Sequence, residues 1–63
     1  MNTVYKYRVV VGENGNEEGH IMTAGTTEAE AREALARELA KYRGDGWGRI
    51  EFSRVSESNW QRL

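Results

Sequence analysis

The segment 27–43, TEAEAREALARELAKYR, constrains the fold more than any other stretch, because strong helix formers fill nearly all of it. Thr27 and Glu30 have the spacing of a capping box, in which two side chains satisfy backbone amides of the first helical turn. Gly44 follows the segment and tolerates the left-handed conformation that ends many helices. The segment therefore predicts one helix over residues 27–43.

One apolar stripe runs along this predicted helix. At about 100° per residue, Ala31, Leu35, Leu39 and Tyr42 fall on one line, with Ala34 beside it. Charged side chains occupy the opposite side. A helix with so narrow a stripe must lie on an apolar surface that the rest of the chain supplies.

Three segments predict strands because they alternate β-branched or aromatic residues with polar ones: 3–11, 19–25 and 48–55. Asn14 and Gly15 are typical of a type I′ hairpin turn between the first two. That turn would place Val9 opposite His20, although the loop could be longer, because Gly12 and Gly19 also loosen it. We expect Met22 and Ala24 to point inward. The last segment, 56–63, has weak structural preferences of its own: Trp60 and Leu63 have the spacing of a helical turn, and the segment could equally fold back onto a sheet edge.

The order β-β-α-β predicts an α+β fold in a single domain, residues 1–63. A right-handed crossover through the helix favours a three-stranded antiparallel-type sheet in the order 2-1-3, with strand three parallel to strand two. The helix would pack on one face of that sheet. The residues expected beneath it are Tyr5, Tyr7, Val9, Met22, Ala24, Ile50 and Phe52.

The composition of the chain argues against several kinds of function. There is no Cys, which excludes disulfides and thiolate metal sites. The single histidine, His20, has no partner at catalytic or metal-binding spacing, and no phosphate-binding or nucleophile motif is present. No apolar run approaches the ~20 residues of a membrane span. We therefore expect a cytoplasmic protein, not an enzyme, that uses no cofactor or metal and does not enter a membrane.

Acidic residues are concentrated in one third of the chain. Residues 13–33 contain six glutamates against a single arginine, although the whole chain has a net charge of only −1. Such a segment either keeps the chain soluble and complements the helix dipole, or docks on a basic surface, where carboxylates take the place of phosphates. The predicted partner-binding residues are Glu13, Glu17, Glu18, Glu28, Glu30 and Glu33.

Two tryptophans and a set of cations support other interpretations. Trp47 and Trp60 either close the edges of a small core or serve as exposed aromatic anchors for a partner. The cations near the uncovered sheet face would suit nucleic acid, since small sheets bind single strands with cations and stacking aromatics. This alternative is less favoured, because the aromatic residues of the first strand fall on the helix side. The cations are Lys6, Arg8, Arg49 and Arg54.

In its small size, its lack of Cys and Pro, its polar helix and its Glu-rich stretch, the chain resembles the anti-CRISPR proteins of phages and mobile elements. The resemblance implies a stoichiometric inhibitor that blocks the DNA-recognition surface of a CRISPR effector complex in the host cell, in some cases by DNA mimicry. Two alternatives stay open: a small nucleic-acid-binding or regulatory module, and a structural module that forms dimers. As an inhibitor the protein would be a monomer or a weak dimer.

Overall fold

The computed structural model describes residues 3–63. These residues form four strands and one helix. In chain order the elements are β1 (Tyr5–Glu13), β2 (His20–Gly25), α1 (Glu28–Ala40), β3 (Gly46–Arg54) and β4 (Gln61–Arg62).

The strands form one sheet in the order β2-β1-β3-β4, and every neighbouring pair is antiparallel. β2 and β3 therefore run in the same direction on either side of β1. The predicted α+β class with one helix is confirmed, and so is the order 2-1-3 of the first three strands. The prediction of a three-stranded sheet is wrong, because β4 pairs with β3 and extends the sheet. A strand of two residues carries no periodicity that a sequence pattern could reveal.

The first hairpin turns at the predicted residues but in a different geometry. The backbone N–H of Asn16 donates to the carbonyl of Glu13 at 3.0 Å, so Asn14 and Gly15 are the central residues. Gly15 has a φ of 90°, whereas Asn14 has no positive φ, and the type I′ prediction is therefore wrong.

The rest of the hairpin loop continues to Gly19, which shifts the strand register by two residues. Val9 lies opposite Met22, and Val11 lies opposite His20, which corrects the predicted pairing of Val9 with His20. A shift of two residues leaves the side chains of residues 20–23 on their predicted faces.

Ala24 and Met22, both expected inward, have different environments. The register changes by one residue near the end of β2, which makes Ala24 the extra residue of a bulge. Ala24 is buried, as predicted. Met22 shares the helix side of the sheet with Val9 but remains 40% exposed, because β2 is an outer strand that α1 covers only partly.

The helix begins at Glu28, directly after the predicted cap residue Thr27, and ends three residues early. Only the Thr27 half of the predicted capping box bonds to a backbone amide among the described residues. The hydroxyl of Thr27 accepts the backbone N–H of Glu30 at 3.2 Å and donates to the Glu30 carboxylate at 3.0 Å. After Ala40 the backbone bonds reach back only three residues, which winds the chain into a tighter turn. Arg43 and Gly44 then take positive φ values of 52° and 88°, so the helix cannot extend to Arg43.

A small core forms where α1 lies on the sheet. Ala31 is fully buried against the sheet, and the half-buried Leu35 packs at the edge of the same cluster. At Gly48 an added Cβ would stand 2.6 Å from Cδ1 of Leu35, so glycine permits the close approach of the helix to β3. The buried cluster consists of Val9, Ala24, Ala31 and Ile50.

Replacing Thr27 by Ala should lower the free energy of unfolding by about 1 kcal/mol, because the first turn of α1 loses its cap. Urea unfolding followed by circular dichroism measures the change. Thr26→Ala is the matched control, since Thr26 is exposed and lies just outside the cap. Equal losses in the two variants would contradict the capping role of Thr27.

Candidate functional site

The face of the sheet that α1 leaves uncovered carries both tryptophans and a group of charged side chains. Successive residues of a strand point to opposite faces, so the residues between those that contact α1 lie together on this side. Arg62 of β4 lies opposite Glu51 of β3 and shares its face. We call this surface the open face. It consists of Lys6, Arg8, Val10, Trp47, Arg49, Glu51, Trp60 and Arg62.

Glu51 holds two arginines at the centre of the open face. Its Oε1 accepts a hydrogen bond from Nε of Arg8 at 2.7 Å, and its Oε2 accepts one from Nε of Arg49 at 2.8 Å. The Glu51 side chain is only 10% exposed. Within residues 3–63 these are the only side-chain hydrogen bonds of the two guanidinium groups, so their Nη groups remain available to donate.

The environment of Glu51 keeps it ionised. Burial alone would raise the pKa of its carboxyl, but the hydrogen bonds and positive charges of Arg49 and Arg8 outweigh burial and lower the pKa from its ordinary value of 4.5. The carboxylate therefore fixes the direction of both guanidinium groups at neutral pH.

Trp60 lies on the cations of β1. Its ring centroid is 4.1 Å from the guanidinium carbon of Arg8 and 5.3 Å from Nζ of Lys6. Such cation–π contacts each contribute about 0.5–1 kcal/mol at exposed sites. They hold the indole of a half-buried residue against the sheet, although the tail that carries it has little secondary structure.

Trp47 lies over two glycines at the hairpin end of the same face. An added Cβ would stand 2.9 Å from the indole at Gly12 and 2.8 Å from it at Gly19, so the absence of side chains there makes room for the ring. Its Nε1–H donates to the carbonyl of Asn16 at 2.8 Å. The guanidinium carbon of Arg49 stands 5.6 Å from the ring centroid.

Both tryptophans therefore lie on the open face and are half-buried there. The two interpretations offered by the sequence are not exclusive. Each ring covers part of the sheet, and Val10 beneath them is only 4% exposed, yet each ring keeps accessible surface.

The cations of the open face outnumber its one carboxylate. Lys6, Arg8 and Arg49 lie there as expected, and Arg62 joins them. Arg54 does not, because it lies opposite Tyr5 and shares the α1 side of the sheet. The net charge of the open face is therefore positive, although that of the chain is −1.

The six predicted acidic residues do not form one surface. Glu13, Glu17 and Glu18 lie at the hairpin end of the sheet, and the other three lie in the first half of α1. β2 and α1 each span roughly 20 Å, which separates the two groups.

Two of the three acidic residues of α1 already have local partners. Glu28 pairs with Arg32 at 2.9 Å, and Glu30 belongs to the helix cap. The hairpin group has no ion pair within the described residues, and all three of its carboxylates are exposed.

Sequence reasoning missed the roles of Glu51 and Arg62. The alternation of β3 places Arg49 and Glu51 on the side of Lys6 and Arg8, and that pattern was the available signal for the pairing. No comparable signal marks Arg62, because β4 is too short to show alternation.

Two further observations concern other kinds of site. No group of three or more His, Cys, Asp or Glu side chains is arranged to hold a metal ion in residues 3–63. Within the same residues, no helix is both long and apolar enough to cross a membrane.

Replacing Glu51 by Gln should lower the free energy of unfolding at pH 7 by about 1–2 kcal/mol, because two charge-assisted hydrogen bonds become weaker neutral ones. The loss is not larger, because solvent near the partly exposed arginines screens their charge interaction with the carboxylate. Because the folded pKa of Glu51 is lowered, its contribution is complete above the unfolded pKa and disappears as pH falls through the folded pKa. The difference between wild type and variant should therefore shrink in acid.

Urea unfolding at pH 7 and near pH 3 measures this difference. Glu57→Gln, which removes an exposed carboxylate, is the control and should match wild type at pH 7. A Glu51→Gln variant as stable as wild type at pH 7 would contradict the assigned role.

Comparison of the chain with protein-family models, with curated proteins and with solved structures found no match in any of the three.

Proposed function

We propose that the protein is a non-enzymatic binding module and that its open face binds single-stranded nucleic acid. One observation carries the proposal: both tryptophans of the chain lie on the same sheet face as four cations and a single carboxylate. Proteins that bind single strands combine these two elements, a positively charged surface for the backbone and aromatic rings for the bases.

The cations would contact the phosphates. Glu51 engages only Nε of Arg8 and of Arg49, so the Nη groups can donate to phosphate oxygens. Glu51 itself is a positioning residue, because it holds the guanidinium groups in place before the ligand arrives. Lys6 and Arg62 add positive charge on either side of this pair.

The tryptophans would contact the bases. Trp60 lies beside Arg8 and Trp47 beside Gly12, and those two positions are about 13 Å apart along β1. An extended strand of several nucleotides would reach both indoles. A duplex fits less well, because its bases are stacked on one another and cannot stack on side chains.

Binding should weaken with salt in proportion to the phosphates that the cations neutralise. Four contacts predict a slope of about −3 for the logarithm of the association constant against the logarithm of salt concentration. Lys6→Gln should reduce the magnitude of that slope by about 0.7. Fluorescence anisotropy of a labelled oligonucleotide, titrated at several salt concentrations, gives both values.

Arg54→Gln is the matched control for Lys6→Gln, because it removes the same charge from the α1 side of the sheet. Its slope should equal that of wild type. Trp60→Ala should weaken binding about 5- to 150-fold through the loss of one stacking contact. Lack of binding by wild type at low salt would overturn the proposal.

A second candidate function rests on the hairpin group of acidic residues, Glu13, Glu17 and Glu18. They are exposed, close in sequence and without ion pairs among residues 3–63, so they could dock on basic residues of a protein partner. A partner of this kind is the DNA-recognition surface of a CRISPR effector complex. The protein would then act as an anti-CRISPR inhibitor in the host cytoplasm.

Reversing all three hairpin glutamates to Lys tests this second function. We expect the substitutions to abolish retention of the protein on an immobilised CRISPR effector complex and to leave the circular dichroism spectrum unchanged. Glu33→Lys combined with Glu57→Lys, exposed positions away from the hairpin, is the control and should retain binding. Equal retention of the hairpin variant and wild type would exclude docking through these acids.

A further inference from the structure

The outer edge of β2 lacks the features that usually prevent strands from pairing between molecules. β2 is the first strand in the sheet order, so the described part of the chain contributes no strand on its outer side. Its sequence, HIMTAG, contains no Lys, Arg, Asp, Glu or Pro. In natural proteins a charged residue, a proline, a bulge or a very short strand usually prevents an edge strand from pairing with another molecule.

The opposite edge of the sheet illustrates such protection. It is formed by β4, which has only two residues, one of them the exposed Arg62. β2 has a bulge, but only at its end near Gly25. Between His20 and Thr23 the pairing with β1 is regular, so that part of the edge is straight enough to accept another strand.

Exposed apolar side chains flank this edge on both faces of the sheet. Ile21 lies opposite Val10 on the open-face side and is 61% exposed. Met22 lies opposite Val9 on the helix side and is 40% exposed. A strand added to β2 would cover both side chains and satisfy the outward backbone groups at the same time.

We infer that the occupant of this edge is β2 of a second copy of the chain, paired antiparallel about a two-fold axis. The absence of Lys, Arg, Asp and Glu from β2 favours this partner. An acidic or basic strand that paired with β2 would find no opposite charge there, and its own charged side chains would lose hydration. A second copy of β2 offers no Lys, Arg, Asp or Glu side chain from His20 to Gly25. Pairing centred on Ile21 or on Met22 keeps side chains of the same face together.

This pairing has a defined structural consequence. The two-fold axis stands perpendicular to the sheet, so the two four-stranded sheets join into one of eight strands. Both open faces then lie on the same side of the joined sheet. A contact made by one six-residue strand of each copy is short compared with standard interfaces, which bury ~1,200–2,000 Å², and we therefore expect a weak dimer.

Sedimentation equilibrium of the whole chain from micromolar to millimolar concentration tests the inference. The average mass of wild type should rise from that of a monomer and level off at that of a dimer. Ile21→Lys should hold the protein at the monomer mass, because it places a charge on each side of the two-fold axis. Val55→Lys is the matched control, since Val55 is 52% exposed and lies outside β2, and it should dimerise like wild type.

Hydrogen exchange provides a readout that needs no variant. Amides in the range 20–23 should exchange more slowly at high protein concentration, while amides of β4 should be unaffected. Three results would overturn the inference: a monomer at millimolar concentration, mass that grows beyond a dimer, or equal loss of association in Ile21→Lys and Val55→Lys. Dimer formation without nucleic-acid binding would support this inference and refute the proposed function.

Discussion

The carboxylate of Glu51 is the constraint on which the open face depends. It accepts Nε–H groups from Arg8 and Arg49, so one nearly buried side chain joins β1 to β3 and orients two cations. Arg8 in turn supports the indole of Trp60, which brings the tail against the sheet. Removing the charge of Glu51 would therefore loosen Arg8 and Arg49 and, through Arg8, the indole of Trp60.

Different interactions stabilise the two faces of the sheet. On the helix side, Val9, Ala31 and Ile50 exclude water, and this burial supplies most of the folding energy available to so small a chain. On the open face Val10 is buried, and its neighbours on that face are long cationic side chains and two indoles. Such side chains shield apolar surface while they keep their charges in water.

The helix was predictable from local patterns, and the order of the first three strands was predictable from the right-handed crossover through that helix. The cap at Thr27 and the alternation of β1 and β3 involve neighbouring residues only. The hairpin register was not predictable from the turn residues, because the loop continues beyond Asn14-Gly15 to Gly19 and is longer than a two-residue turn. The position of Trp60 depends on Arg8, more than fifty residues away in the chain, and no local pattern encodes that contact.

Chemical-shift mapping tests most directly the proposal that a single strand of nucleic acid lies across the open face. In ¹H–¹⁵N spectra recorded during titration with an unlabelled oligonucleotide, the indole N–H signals of Trp47 and Trp60 should both move. Backbone signals of β1 and β3 should move with them, while those of the exposed side of α1 should remain in place. Shifts confined to α1 and the 13–18 hairpin, with both indole signals unchanged, would contradict the account.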